Sequence, residues 1–242
     1  MKKEILDGEE QKTGYPKKGL ARLCELIIRD FWNFFRANLI LFLSICPGML
    51  LIMWGTWGQS LPVTLVGGII LGLLGTPFIC CLFDTLLRSL RDEAGFWSLQ
   101  YKRALKQNWK VALLPGIVFG VILAVWIFEM NLLIKQENMS GLALIVMLEV
   151  IFFLAGIFNY VFSQIALVSV SASKLYVNSV RLFIGALPNS VAAAIVQLVY
   201  WGCFWMFLPK TVPFLMISGF WFPNLLALMI LMKPLRQYLR LD

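Results

Sequence analysis

Two glutamates interrupt long apolar stretches of this chain, and a carboxylate in such a setting can do chemistry. Glu129 lies about one turn, and Glu149 about two turns, from the ends of two apolar runs that the short segment 135–141 connects. A carboxylate in hydrocarbon is costly and usually faces water or the protein interior. If the two meet, they form a shared-proton or cation site suited to ion or solute transport. The alternatives are a structural Glu149, bonded to Lys135, Lys210, a Trp or the backbone, and a solvated Glu129 at the interface.

A polar stripe offers a second place for a solute. Every fourth position of one apolar run carries a small or polar residue, and these positions share one slowly drifting helix face: Gly185, Asn189, Ala193, Gln197 and Trp201. Asn189 and Gln197 supply the hydrogen-bonding groups of this face. The stripe predicts ordinary helix packing, a solute path or a seam between two copies of the chain.

The residues that most enzymes need are missing. The sequence has no His, which removes the commonest general base and metal ligand, and it has no phosphate-binding glycine loop or nucleophile elbow. Its five Cys have no paired C-x-x-C spacing. We therefore expect no enzymatic activity, no cofactor and no bound metal.

Six apolar runs determine the predicted architecture. The chain is 60% hydrophobic and 14% charged, which leaves too few charges to cover a soluble fold. A helix needs about 20 apolar residues to cross the hydrocarbon of a bilayer. The sequence therefore predicts an all-α membrane protein with six transmembrane helices, at residues 37–57, 61–83, 111–134, 142–170, 182–208 and 212–232.

Basic residues indicate the orientation. Of the 21 Lys and Arg residues, all except Lys135 and Lys210 fall in the N-terminal segment, the C-terminal tail and the connections after spans two and four. Such an excess is typical of cytoplasmic segments, so both termini are predicted to be cytoplasmic. The same bias accounts for the net charge of +8. We expect contact with the lipid bilayer and its anionic inner-leaflet lipids, and no binding to nucleic acid.

Small residues predict where helices touch. Gly68 and Gly72 in span two, and Gly116 and Gly120 in span three, recur at every fourth position together with other small residues. Faces of this kind let two helix backbones approach closely in a membrane.

Polar segments flank the first spans. Residues 1–18 lack apolar periodicity and predict a mobile cytoplasmic tail, which leaves 19–242 as a single transmembrane domain. Apolar residues at helical spacing within 20–34 predict an interfacial helix before span one, and segment 85–110 predicts one or two more between spans two and three. The first apolar run is too long for a signal-peptide core, so no cleavable signal peptide is expected. The second segment contains a candidate surface for a partner or lipid: Arg88, Arg91, Lys102, Arg103, Lys106 and Lys110.

Several stretches of sequence carry a family resemblance. They are Asn38 with Cys46-Pro47 in span one, residues 84–91 and 101–111, and residues 171–191, which read SASKLYVNSVRLFIGALPNSV. Together they resemble the YesL-like family of bacterial integral membrane proteins. One departure is the Cys46-Pro47 region, where a Pro-x-x-Thr pattern is expected.

The resemblance implies a setting and supplies no catalytic residues. YesL-like proteins are small, multi-span and uncharacterised, and are often encoded beside carbohydrate uptake and degradation systems. The resemblance implies an accessory or scaffold component of such a system in a bacterial plasma membrane, with segment 85–110 as its partner surface. Transporter subunits or a second copy of the chain are the expected partners. The alternative is a small-solute or ion permease that uses Glu149 and the polar face of span five.

Overall fold

The chain is helical throughout its described parts. The computed structural model describes residues 19–136, 140–168, 172–207 and 210–239, with the backbone alone at 172 and 173. All regular secondary structure in these ranges is helical, which confirms the all-α prediction, and the predicted tail at 1–18 lies outside them. The described ranges contain eight helices: α1 (Leu20–Trp57), α2 (Leu61–Leu90), α3 (Trp97–Ile134), α4 (Gly141–Leu167), α5 (Ala172–Gly185), α6 (Leu187–Met206), α7 (Val212–Ile217) and α8 (Trp221–Leu239).

The chain divides into two compact units, one through Phe31 and one from Trp32 onward. In the first unit, Arg22 pairs with Glu25 at 3.2 Å, and Arg29 pairs with its neighbour Asp30. Helices α2 to α8 belong to the second unit.

Five helices in the described ranges are long and apolar enough to cross a membrane, namely α1, α2, α3, α4 and α6. Two predicted spans differ from the structure. The predicted span 182–208 is broken at Ala186, because α5 ends at Gly185 and Pro188 lies in the first turn of α6. The predicted span 212–232 is broken at residues 218–220 into α7 and α8.

The predicted interfacial helices are not separate elements of the described chain, which corrects that prediction. Residues 20–34 begin α1, and residues 97–110 begin α3, each a helix of 38 residues. Neither segment contains a Gly or Pro that would end the helix before the apolar run begins. The chain turns instead at 91–96, where Asp92 and Gly95 adopt positive φ angles of 57° and 146°.

Helices α1 and α2 form an antiparallel hairpin, and its turn at residues 58–60 defines the hairpin end of the second unit. Gly55 lies against Thr64 across this hairpin. Asn131 of α3 donates a hydrogen bond to the Thr56 carbonyl at 3.1 Å, so α3 also ends at the hairpin end.

Glycines bring α2 and α3 into backbone contact. A Cβ added to Gly72 would lie 2.5 Å from the Gly116 carbonyl oxygen, and one added to Gly68 would lie 2.7 Å from the Gly120 carbonyl oxygen. The structure thus places the four glycines of the two small-residue faces directly against one another. Any larger side chain there would force the helices apart.

The opposite end of α2, residues 80–89, defines the far end. Residues 80–87 are all buried, which requires neighbours on every side of the helix. The Phe83 ring lies 5.8 Å from the rings of both Phe158 and Phe162 of α4. The first half of α4, by contrast, exposes most of its large apolar side chains. The second unit is therefore packed most completely at the far end.

Candidate functional site

Three amide side chains from three helices meet in the core at the far end. Asn159 of α4 and Gln197 of α6 exchange two hydrogen bonds, at 3.0 and 3.1 Å. Gln197 Nε2 also donates to Asn224 Oδ1 of α8 at 2.8 Å. None of the three residues is more than 8% exposed. We call Asn159, Gln197 and Asn224 the amide cluster.

The amide cluster also bonds to backbone groups of its own helices. Asn159 Nδ2 donates to the Ala155 carbonyl at 2.8 Å, and Asn224 Nδ2 donates to the Phe220 carbonyl at 2.7 Å. A buried amide that loses its partner destabilises the fold by about 1–3 kcal/mol, so these bonds favour one register of the helices. Carboxamides do not titrate, so the amide cluster can position helices or bind a polar group but cannot carry a proton.

Two hydroxyl groups, one from α4 and one from α6, form hydrogen bonds at the break between α5 and α6. The Tyr160 and Ser190 hydroxyl oxygens lie 2.8 Å apart. Ser190 Oγ lies 3.0 Å from the carbonyl oxygens of Phe183 and Ala186, which flank the end of α5. The Ala186 oxygen also accepts the Ser190 backbone N–H at 2.9 Å, so Ser190 bonds at the break through both its side chain and its backbone.

Asn38 of α1 clamps the second break. Its Nδ2 donates to the carbonyls of Leu215 and Met216 at 2.8 and 2.9 Å. Its Oδ1 accepts from the backbone N–H groups of Phe220 and Trp221 at 2.8 and 3.2 Å. One buried carboxamide thus satisfies both the end of α7 and the beginning of α8.

Ion pairs fix the turn between α2 and α3. The Arg88 guanidinium bonds Asp84 at 2.8 Å and Glu93 at 2.7 Å, and Arg91 bonds Glu93 at 3.0 Å. Two residues of the predicted partner surface, Arg88 and Arg91, are therefore engaged within the chain. The Trp97 indole N–H donates to Thr85 Oγ1 at 3.3 Å and ties the start of α3 to α2.

Four other residues of the predicted partner surface are exposed at the beginning of α3. They lie within an arc of about 100° around the helix, opposite the buried Tyr101 and Ala104. Lys110 also lies over the ring of Trp109, at 5.6 Å from the ring centroid. We call the four residues the basic face of α3: Lys102, Arg103, Lys106 and Lys110.

The two predicted carboxylates are exposed on their helices. Glu129 lies on α3 and Glu149 on α4, and both are exposed. The two helices are linked nearby by the Trp126 indole N–H, which donates to the Met147 carbonyl at 2.9 Å. The structure therefore does not place either carboxylate in the protein interior.

The two predicted amides of span five have different environments. Asn189 donates to the Ile230 carbonyl at 3.1 Å, whereas Gln197 belongs to the amide cluster. Glu149 lies about 15 Å along α4 from Asn159, the cluster member on that helix. The structure therefore does not bring Glu149 together with Gln197.

Asn159 and Asn224 are not among the site residues predicted from the sequence. Each is a carboxamide within an apolar helix, and such groups need a partner where water is excluded. The sequence signal for them was indirect: a buried Gln197 requires hydrogen-bond partners, and other carboxamides within apolar helices are candidates.

No group of three or more His, Cys, Asp or Glu residues in the described ranges could hold a metal ion. Cys80 and Cys81 are both buried, and Cys81 Sγ lies 3.7 Å from the Tyr101 carbonyl oxygen. These neighbours indicate a packing role for the two thiols.

Comparison with known proteins gives a match to a family model. A family model described as "Protein of unknown function, DUF624" matches residues 52–130. This part of the chain is similar to DUF624. The DUF624 match covers the end of α1, all of α2 and most of α3, with the α2–α3 turn and the basic face of α3. No curated protein and no solved structure matches the chain. The resemblance to YesL-like proteins stays a prediction.

Proposed function

We propose that the chain is a non-enzymatic accessory or scaffold component of a bacterial carbohydrate uptake or utilisation system. It lies in the plasma membrane with both termini in the cytoplasm, and it binds its partner through the basic face of α3. One observation carries the proposal: four basic side chains are exposed along one side of a helix whose opposite side is buried in the core.

The basic face of α3 is held in one conformation, which favours a role in binding. The basic residues lie on the same continuous helix as the apolar segment of α3, and ion pairs at Arg88 and Glu93 hold the preceding turn. A surface already held in one conformation loses little conformational entropy when a partner binds. Positive charge also steers acidic surfaces toward it.

The placement of basic residues supports the orientation. The basic face of α3 belongs to the same charged side as Lys174 and Lys233 in the predicted topology, and such charges mark the cytoplasmic side. Anionic lipids of the inner leaflet can occupy part of this face when no protein is bound.

The proposed link to carbohydrate uptake rests on the resemblance to YesL-like proteins, because DUF624 is a family of unknown function. A non-enzymatic role is supported by the composition, which contains no His. The permease alternative has less support, since Glu149 is exposed and the amide cluster bonds to itself and to the backbone.

Affinity purification from native membranes in mild detergent tests the proposal. Stoichiometric transporter subunits should accompany the wild-type chain. They should be lost when Lys102, Arg103 and Lys106 are all changed to Glu. The matched control is Lys135→Glu, an exposed cation at the other end of α3, and it should retain the partner. Recovery of the chain alone, as monomer or homo-oligomer, would contradict the accessory role.

A further inference from the structure

We infer that α6, α7 and α8 do not cross the bilayer but lie in the lipid leaflet at the far end, so that the chain crosses the membrane four times. The inference concerns which surface meets lipid and is independent of the partner proposed above. It replaces six predicted crossings with four, and both numbers leave the two termini on the same side.

The α7–α8 break lies at the far end. From Asn38 to Trp57, α1 rises about 29 Å, close to the thickness of the bilayer hydrocarbon. Asn38 bonds directly to Leu215, Met216, Phe220 and Trp221. The break therefore lies about one bilayer thickness away from the hairpin end, where a sixth crossing would have to begin.

The amide cluster also lies near the far end, and α6 is too short to reach the hairpin end from it. Phe83, which contacts α4 beside Asn159, lies about 33 Å along α2 from Leu61 at the hairpin end. From Gln197 to its last residue, Met206, α6 rises only about 14 Å. Even directed straight at the hairpin end, α6 would stop well short of it.

The start of α7 does not extend the chain further toward the hairpin end. Thr211 Oγ1 donates to the Phe204 carbonyl at 2.9 Å, so the start of α7 lies directly beside the last turns of α6. Helix α6 also crosses α4, because its Ser190 and Gln197, about 10 Å apart, bond to the adjacent Tyr160 and Asn159.

The exposed side chains of α6 and α7 are largely apolar, as expected for a surface in contact with lipid. Apolar side chains are exposed at the end of α6 and along α7, including Trp205, Met206, Phe214 and Ile217. The exposed Lys210 lies in the turn between α6 and α7, where a lysine can extend its ammonium group to anionic headgroups. We assign the acyl chains and headgroups of that leaflet as the occupant.

Cysteine labelling in intact cells and inverted vesicles tests the inference. The variant is Lys210→Cys in a chain whose exposed Cys24 and Cys203 are changed to Ser. Lys135→Cys marks the side of the hairpin end, and Lys174→Cys marks the opposite side. We expect a membrane-impermeant maleimide to label Lys210→Cys from the Lys174 side, or only after detergent is added if lipid covers it. Labelling from the Lys135 side would overturn the inference. Val212→Cys is a second variant with the same expected pattern.

The native Cys203 tests the occupant. It is exposed on α6, and a nitroxide attached to it should collide more often with oxygen than with a water-soluble nickel chelate, as lipid-facing positions do. More frequent collisions with the chelate would place this surface in water. Protection from both reagents would place it against a protein, and either result would overturn the lipid assignment.

Discussion

Asn38 and Phe220 lie far apart in the sequence, yet the Asn38 side-chain oxygen accepts the Phe220 backbone N–H at 2.8 Å. The same oxygen accepts Trp221 N–H, and the ring of Trp221 stacks on Phe34 at 5.2 Å between ring centroids. This contact joins α1 to the break between α7 and α8. It makes an interrupted helix possible where water cannot solvate the free backbone groups.

Replacing Asn38 should destabilise the chain. In Asn38→Leu the two carbonyls and two N–H groups around the break lose their bonds to the Asn38 side chain, although the Leu215 carbonyl keeps a further donor, the Gly219 N–H. We expect a loss of about 1–3 kcal/mol in the free energy of unfolding. Titration with SDS, followed by far-UV circular dichroism, measures this quantity. The control is Ser44→Ala, which removes only a bond within α1 from Ser44 to the Leu41 carbonyl. An Asn38→Leu variant as stable as the control would contradict the clamp.

The amide cluster should behave as a coupled unit. Gln197→Leu leaves the side chains of Asn159 and Asn224 without their mutual partner, so we expect a cost of about 1–3 kcal/mol. A double-mutant cycle of Gln197→Leu with Asn159→Leu should give a coupling energy of about 0.6 kcal/mol or more. Simple additivity of the two single changes would show that the two side chains do not interact.

Part of this fold could be predicted from local sequence. Apolar run length located α1 to α4, and the four-residue spacing of Gly68 and Gly72 indicated a face for close helix contact. The breaks at Ala186 and at residues 218–220 could not be seen by run length, because the apolar composition continues through them.

The hydrogen-bond partners of the buried polar residues could not be predicted from the local sequence. The sequence identifies Gln197 as a polar group in an apolar run, but its partners Asn159 and Asn224 come from two other helices. Asn38 bonds across almost the whole chain, and no periodicity encodes such a pairing. Glu149 is a functional candidate in the sequence because it interrupts an apolar run, yet whether it faces the core depends on which helix lies beside α4.

Adding a side chain at the close contact between α2 and α3 should destabilise the chain. Gly72→Ala would bring a Cβ to 2.5 Å from the Gly116 carbonyl oxygen, so the helices must move apart. We expect a loss of about 1–3 kcal/mol in the free energy of unfolding, measured by SDS titration. The matched control is Gly202→Ala on α6, where an added Cβ meets nothing within 4 Å. Equal stability of the two variants would refute the predicted backbone contact.

The ion pairs at the α2–α3 turn should govern its local mobility more than global stability. Glu93→Gln weakens the bonds to Arg88 and Arg91, and a partly exposed pair contributes about 1 kcal/mol or less. Hydrogen–deuterium exchange should therefore accelerate at residues 91–96 while the unfolding midpoint changes little. Unchanged exchange in that segment would mean that the ion pairs do not hold the turn.

Photo-crosslinking in living cells tests the partner role of the basic face of α3 most directly. A photoreactive amino acid replaces Lys106 on that face, and a control chain carries it at Lys135, near the hairpin end. We expect irradiation to join position 106, but not position 135, to a protein subunit of an uptake system, identified by mass spectrometry. Crosslinks from position 106 to lipid alone, or the same protein crosslinked from both positions, would contradict it.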